Sequence, residues 1–325
     1  MNHRTEIQTT NATPIIGLGT KVLTIGSCFA DNIGERLHDD KLVVKVNPFG
    51  TVYNPISIFD LLADSLTHVL PDEKLYYNDG ETWQHHGFHS TYWDFDKDKL
   101  SHKLQKILED TGKFLREADV LMITFGTSVI YKLKDTKTLV NNCLKRSAKD
   151  FEKIVLGLDE IKKAFDLLYT LLKKENPNLK IILTLSPVRH IKDGLELNAV
   201  SKSLLRLFCN KIANQKDILY FPAYEAMIDD LRDYSYYKDD LLHPNNRAVD
   251  YIYHKFGEQY FTSEYHTFLN RWQKLKLQLA HRPLKPGTKE HHFFLQNLYS
   301  DLEMLKGTVD VKNEMEEVFL LMKNY

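Results

Sequence analysis

The feature that most constrains this chain is a repeated alternation. Short apolar, β-branched-rich runs end in small or turn residues, and each is followed by an amphipathic stretch of helical period. The candidate strands are Lys21 to Ile25, Leu42 to Val46, Val120 to Phe125, Lys180 to Leu185 and Ile218 to Phe221. They are largely apolar, as strands covered on both faces should be. Between them, Ala30 to Leu37, Ser57 to His68, Leu100 to Arg116, Asp159 to Lys174, Glu196 to Ile212 and Asn245 to Phe256 carry apolar residues at helical spacing. This rhythm predicts an α/β fold in which helices cover both faces of a five-stranded parallel, flavodoxin-like sheet.

Two stretches break the alternation. Leu75 to His85 holds Asn78-Asp79-Gly80 between polar-aromatic runs, and Ile130 to Val140 holds a Lys/Asp/Thr turn, so both read as hairpin insertions. After Phe261 the pattern changes to helical segments around Phe268 to Leu279, His291 to Leu305 and Val311 to Met322, joined by Arg282-Pro283 and Pro286-Gly287. The expected organisation is a main domain over 1–260 and a helical C-terminal extension over 261–325, packed on that domain or on a second subunit.

Lys and Arg total 43 against 44 for Asp and Glu, so the chain has no global basic field to draw it to nucleic acid or an anionic membrane. Cys28, Cys143 and Cys209 are an odd set without a CxxC pair, which suggests neither a disulfide framework nor a zinc site. Met1 to Thr10 is polar, and no run reaches the ~20 apolar residues of a membrane helix, so a cytoplasmic location is expected. The sequence does not set the oligomeric state.

Chemistry concentrates first at Thr24-Ile25-Gly26-Ser27-Cys28-Phe29-Ala30, where the first strand passes into the first helix. A serine there stands at the carboxyl end of a parallel sheet, where α/β folds place ligands, beside the free amides of a helix N-terminus. The same serine also reads as a plain helix cap. A second constellation, Asp239-Asp240-Leu241-Leu242-His243-Pro244-Asn245, precedes the last amphipathic helix of the main domain. An Asp three residues before a His can fold back so that its carboxylate holds one ring nitrogen while the other faces a serine. His243 would then take the proton of Ser27, with Asp240 fixing the tautomer.

The ordered strings Gly26 to Ala30, Asn47-Pro48-Phe49-Gly50, Tyr53-Asn54-Pro55, Thr124-Phe125-Gly126-Thr127, Ser186-Pro187-Val188-Arg189-His190, Ser201-Lys202 and Asp240 to His243 closely resemble the GSCFA family of SGNH/GDSL-like hydrolases, over roughly Leu23 to Phe256. The resemblance implies an SGNH three-layer α/β/α sandwich and a Ser27, His243, Asp240 triad. It also implies an oxyanion hole built from the first three blocks, with Ser27, Gly50 and the Gly126-Thr127 block as donors. Thr127 stands where the wider superfamily has an asparagine, so the third donor is its hydroxyl, a backbone amide, or another side chain such as Asn54. A further departure is Leu144, at a place where a histidine is expected.

Around this site Phe49, His89, Arg189 and His190 are candidate substrate contacts. Arg189 reads as a fork for a carboxylate or phosphate, or as half of a structural ion pair. Trp83 to Ser90, with His85, His86 and His89, invites a metal reading, yet no carboxylate or cysteine completes a ligand pattern. A solvated hairpin, or an insertion at the pocket mouth, accounts for it better, and neither a metal nor a cofactor is expected. Cys28 is a rival nucleophile, although the first helical turn should aim it inward. Asn198 and Lys202 read as helix-surface residues or an ion pair. The expected activity is hydrolysis of a small acyl ester, such as an acetyl ester on a carbohydrate, through an acyl-serine. The rivals are an acyltransferase with the same triad and a non-catalytic binding module.

Overall fold

The computed structural model describes residues 4–8, 13–213 and 215–324. Strand β1 (Lys21–Gly26) leads into α1 (Cys28–Asp39) and β2 (Val43–Val46), and α2 (Pro55–Thr67) follows. A first insertion carries β3 (Tyr76–Asn78), β4 (Trp83–His85) and β5 (Trp93–Asp94), before α3 (Lys97–Glu117) and β6 (Val120–Phe125). A second carries β7 (Val129–Leu133), β8 (Leu139–Val140) and β9 (Phe151–Val155). Then come α4 (Leu158–Glu175), β10 (Lys180–Leu185), α5 (Leu195–Ile212), β11 (Ile218–Phe221), the one-turn α6 (Ala223–Glu225) and α7 (Asn246–Tyr260). Helices α8 (Ser263–Leu279), α9 (Lys289–Glu303) and α10 (Lys312–Asn324) close the chain.

The five long-range strands form one parallel sheet in the order β11-β10-β6-β1-β2. In chain order this is the flavodoxin-like arrangement, whose direction of winding reverses beside the first strand and opens a crevice at the carboxyl edge. Period-two alternation sends Leu23, Ile25, Leu121, Ile123, Phe125, Ile181, Leu183 and Leu185 into a core shared with α2, α3, α4 and α5. The alternate residues face the other layer, where the backbone of α1 approaches at Gly34, above Thr24. Arg36 of α1 holds Asp250 of α7 at 2.7 Å on that side. The fold is therefore a three-layer α/β/α sandwich with additional helices at its C-terminal end.

Both insertions are three-stranded rather than plain hairpins. In the first, β4 pairs with β3 (Tyr76 opposite His85) and also with β5. In the second, β7 pairs with β8 and with β9, a strand whose Phe-Glu-Lys-Ile-Val sequence is short and interrupted by charge. The solvated-hairpin expectation for the histidine-rich stretch is overturned, because His85 and His86 are buried. His85 packs edge-on to Tyr76 and Phe88, and His86 edge-on to Phe151.

Contacts divide the chain into two units, one drawn from residues 1–8, 21–36 and 44–254, the other from 9–20, 37–43 and 255–325. In the second unit, Trp272 donates to the Asp39 carbonyl (2.7 Å), Tyr265 to that of Asp40 (2.9 Å), and Lys276 pairs with the buried Asp40 carboxylate at 2.8 Å. No helix among the described residues is long and apolar enough to cross a membrane.

His85 gives a pH test of this packing. Its Nδ1 accepts from the Gly87 amide (3.0 Å) while Nε2 bonds the Asp72 carbonyl (3.1 Å), a pairing that requires the neutral ring. Burial pushes its pKa down to about 4. A folded value below the unfolded value of about 6.5 means that its contribution is complete above that pH and is lost as pH falls toward 4. His85→Asn should therefore lower Tm at pH 7.5 and lower it by less at pH 5, since only the wild-type ring resists protonation. A gap that is constant or widens in thermal unfolding would contradict this.

Candidate active site

The turn between β1 and α1 is fixed by sterics before any side chain acts. Gly26 sits at φ +139°, and a Cβ there would lie 2.1 Å from the Thr124 carbonyl oxygen, so no other residue fits. Its amide is taken by Asn47 Oδ1 (2.8 Å), while Asn47 Nδ2 donates to Asp31 (2.6 Å) and, at 3.4 Å, to the Ser27 carbonyl. One buried asparagine at the end of β2 thus holds the backbone on both sides of the serine.

Ser27 immediately precedes α1, and its Oγ accepts from the Phe29 amide at 3.3 Å. The cap reading and the nucleophile reading are compatible here, because accepting this bond leaves the hydroxyl proton free and places the oxygen against the positive end of a helix. Ser27 itself has no exposed surface. Burial and the neighbouring Asp31 push the Cys28 thiol up, which disfavours the thiolate that a cysteine nucleophile needs.

Asp240 and His243 form the expected pair. His243 Nδ1 meets Asp240 Oδ2 at 2.6 Å, and Asp240 Oδ1 accepts from the amides of Leu242 (2.8 Å) and His243 (2.9 Å). These three donors hold the carboxyl group down at about 2, so it is charged at any working pH. The tight loop puts Leu241 at φ +59°, a conformation disfavoured for leucine. The loop is seated on the segment that follows β10, where the Arg189 amide donates to the Leu242 carbonyl at 3.3 Å. That seat places the pair at the carboxyl edge of the sheet, the edge on which Ser27 stands.

Arg189 has a role that neither sequence reading anticipates. Its guanidinium lies over the rings of Tyr237 (4.3 Å) and Tyr234 (5.2 Å) and reaches the Leu241 carbonyl at 3.5 Å, with no carboxylate within ion-pair distance among the described residues. It clamps the Asp240–His243 loop. His190 stacks edge-on to Tyr53 at 5.2 Å, with Nε2 buried and unpartnered above Gly126. Desolvation, then the charges of Lys202 and His243, lower its pKa to about 4, so it is neutral at pH 7. A cavity of about 180 Å³ opens here between Tyr53, Thr127, Tyr131, His190 and Asn198.

The proposed oxyanion donors are engaged within the protein. Ser27 N donates to the Thr124 carbonyl (3.1 Å), Gly50 N to that of Asn47 (2.8 Å), and the Gly126 and Thr127 amides both to that of Tyr53. Asn54 caps α2, accepting from the Ser57 amide and donating to the Ser57 hydroxyl, both at 2.9 Å. The Thr127 hydroxyl accepts from Val129 N (3.1 Å) and pairs with Ser201 Oγ (3.2 Å), so its proton can be redirected. Cys28, first in α1, has no partner for its amide inside the helix. His89 lies against Gly50, whose φ of +73° and missing Cβ allow that approach, whereas the Phe49 side chain is buried in the core rather than turned to a ligand.

A model of the GSCFA family matches residues 21–256. The chain belongs to that family. A second model, the GSCFA domain protein C-terminal domain, matches residues 272–322. No curated protein matches. Solved structures similar to this GSCFA chain include a carbohydrate esterase family 3 from Talaromyces cellulolyticus (8% identity, 73% of this chain and 94% of that one, TM-score 0.34). Others are a mutant acetyl esterase with acetate ion (10%, 79% and 99%, 0.35) and the acetyl xylan esterase Est2A from the rumen bacterium Butyrivibrio proteoclasticus (15%, 76% and 66%, 0.30).

Asn47, Asn198, Ser201 and Lys202 gain no site role from sequence, yet all are buried beside it. For the α5 residues a signal is present: positions 198, 201 and 202 continue the stripe of Leu205, Phe208, Cys209 and Ile212, which faces the core. Asn47→Ala should strand the Gly26 amide and cost about 1–3 kcal/mol of stability, measured by denaturant unfolding. A loss below about 0.5 kcal/mol would mean that water replaces it without cost.

Proposed function

We propose that this chain is a serine ester hydrolase of SGNH type that removes a small acyl group, such as acetyl, from a carbohydrate or similar polar alcohol. The observation that carries the reading is the 2.6 Å bond between Asp240 and His243, on a loop seated at the sheet edge where Ser27 precedes α1. With Nδ1 held by the carboxylate, the other ring nitrogen, Nε2, is left as the proton acceptor.

In the forward step His243 Nε2 takes the Ser27 proton as Oγ bonds to the substrate carbonyl carbon, and the carbonyl electrons move to oxygen. The tetrahedral intermediate expels the alcohol, which leaves with the proton from His243. Water, deprotonated by the same ring, then releases the acid and restores the serine. The Thr127 hydroxyl, whose proton can turn away from Ser201, and the Cys28 amide at the start of α1 are the candidate donors for the oxyanion. Drawing in the Gly50 or Thr127 amides requires them to share or give up their carbonyl partners, and each donor lost typically costs about 10²–10³ in rate. Because Ser27 is buried, substrate must displace part of the rim to reach it.

Turnover of a short-chain nitrophenyl ester tests this. Ser27→Ala and His243→Ala should abolish it with the fold retained, and Asp240→Asn should lose less than Ser27→Ala because an impaired base survives. Unchanged turnover in either of the first two variants sinks the assignment. Since Asp240 is ionised down to about pH 2, its own protonation should add no acid limb to kcat/KM above that pH, and a carboxylate-like loss of kcat/KM rescued in Asp240→Asn would contradict this.

A further inference from the structure

Helix α5 directs one buried polar stripe at the two loops that make the site. Lys202 Nζ donates to the Ser186 carbonyl at 2.7 Å, and Asn198 Oδ1 accepts from the His190 amide at 3.0 Å. These bonds pin the first and last residues of Ser186-Pro187-Val188-Arg189-His190. Within that segment Arg189 carries the base loop, through its amide to Leu242 and its guanidinium to Leu241. One position back along the helix from Lys202, Ser201 Oγ accepts from the Ser128 amide at 2.7 Å and pairs with the Thr127 hydroxyl at 3.2 Å. A single helix face therefore grips both the loop of the candidate oxyanion donor and the seat of the catalytic base.

Lys202 makes this more than tidy packing. The residue is 1% exposed, its ammonium has no carboxylate within ion-pair distance among the described residues, and its neighbours are the Ser186 carbonyl, the Tyr224 ring at 5.6 Å, Cys28 and His190. Burying a lone ammonium opposes folding, and burial drives its pKa down to about 7. An apolar side chain of the same length would fill the space at lower cost, so packing does not account for a lysine here.

We propose that Lys202, with Ser201 and Asn198, is a positioning element that holds the Ser186–His190 segment, and through it the Asp240–His243 loop, in register with Ser27. This rests on the hydrolase reading above. If it holds, the stripe acts on turnover and not on ground-state binding, because the groups it orients meet the substrate fully only in the transition state.

The test is Lys202→Met, compared with wild type and Ser27→Ala by thermal unfolding and ester kinetics. In a variant that thermal unfolding shows to be folded, we expect kcat reduced about tenfold or more and KM within about threefold. An active wild type and an inert Ser27→Ala, together with Lys202→Met at wild-type kcat, would overturn the proposal while leaving the hydrolase intact. An inert wild type would strike the underlying reading instead. Should Lys202→Met fail to fold, Ser201→Ala carries the test: a several-fold fall in kcat at unchanged KM supports the stripe, and wild-type kcat overturns it.

Discussion

Asp240 commits both carboxylate oxygens within three residues of itself, to two backbone amides and to the ring of His243. The Asp–His pair is thus assembled locally, and the fold has only to deliver a finished loop to the carboxyl edge of the sheet. Delivery is done by the segment after β10, whose Arg189 binds that loop by amide and by guanidinium. A carboxylate from a distant element would have tied the geometry of the pair to every small shift between elements. Here the sensitive 2.6 Å distance lies inside one turn, at the expense of a strained Leu241.

The serine is placed by a different device. Parallel pairing sets Gly26 opposite Thr124, the close approach there excludes any side chain, and Asn47 locks the turn from the neighbouring strand. Backbone sterics and buried hydrogen bonds therefore position the hydroxyl, while the start of α1 supplies a field that favours negative charge on its oxygen. What distinguishes this arrangement from an ordinary capped helix is the presence of an oriented imidazole at the same sheet edge.

Much of the fold is legible in the sequence because it depends on short-range patterning. Five apolar runs and the intervening helical periods mark the sheet and its covering layers, and the Asn78-Asp79-Gly80 turn marks the first insertion. Strand β9 escapes because its charges hide the alternation, and β5 because two residues carry no period. At the site, the Asp240 and His243 pairing is readable since three-residue spacing alone permits it. The partners of Arg189 are not, because two tyrosines far along the chain decide them. Lys202 is hidden for a different reason: charge argues for the surface, whereas its place on the apolar stripe of α5 argues for the interior, and the stripe wins.

The most direct test of the account is to trap the nucleophile. Wild-type protein and His243→Ala should be treated with an active-serine fluorophosphonate and the adducts mapped by mass spectrometry. The account predicts one adduct on Ser27 in the wild type, and slow or absent labelling in a folded His243→Ala variant. Labelling on Cys28, equal labelling of both proteins, or none on folded wild type would contradict the claim that an imidazole activates this serine.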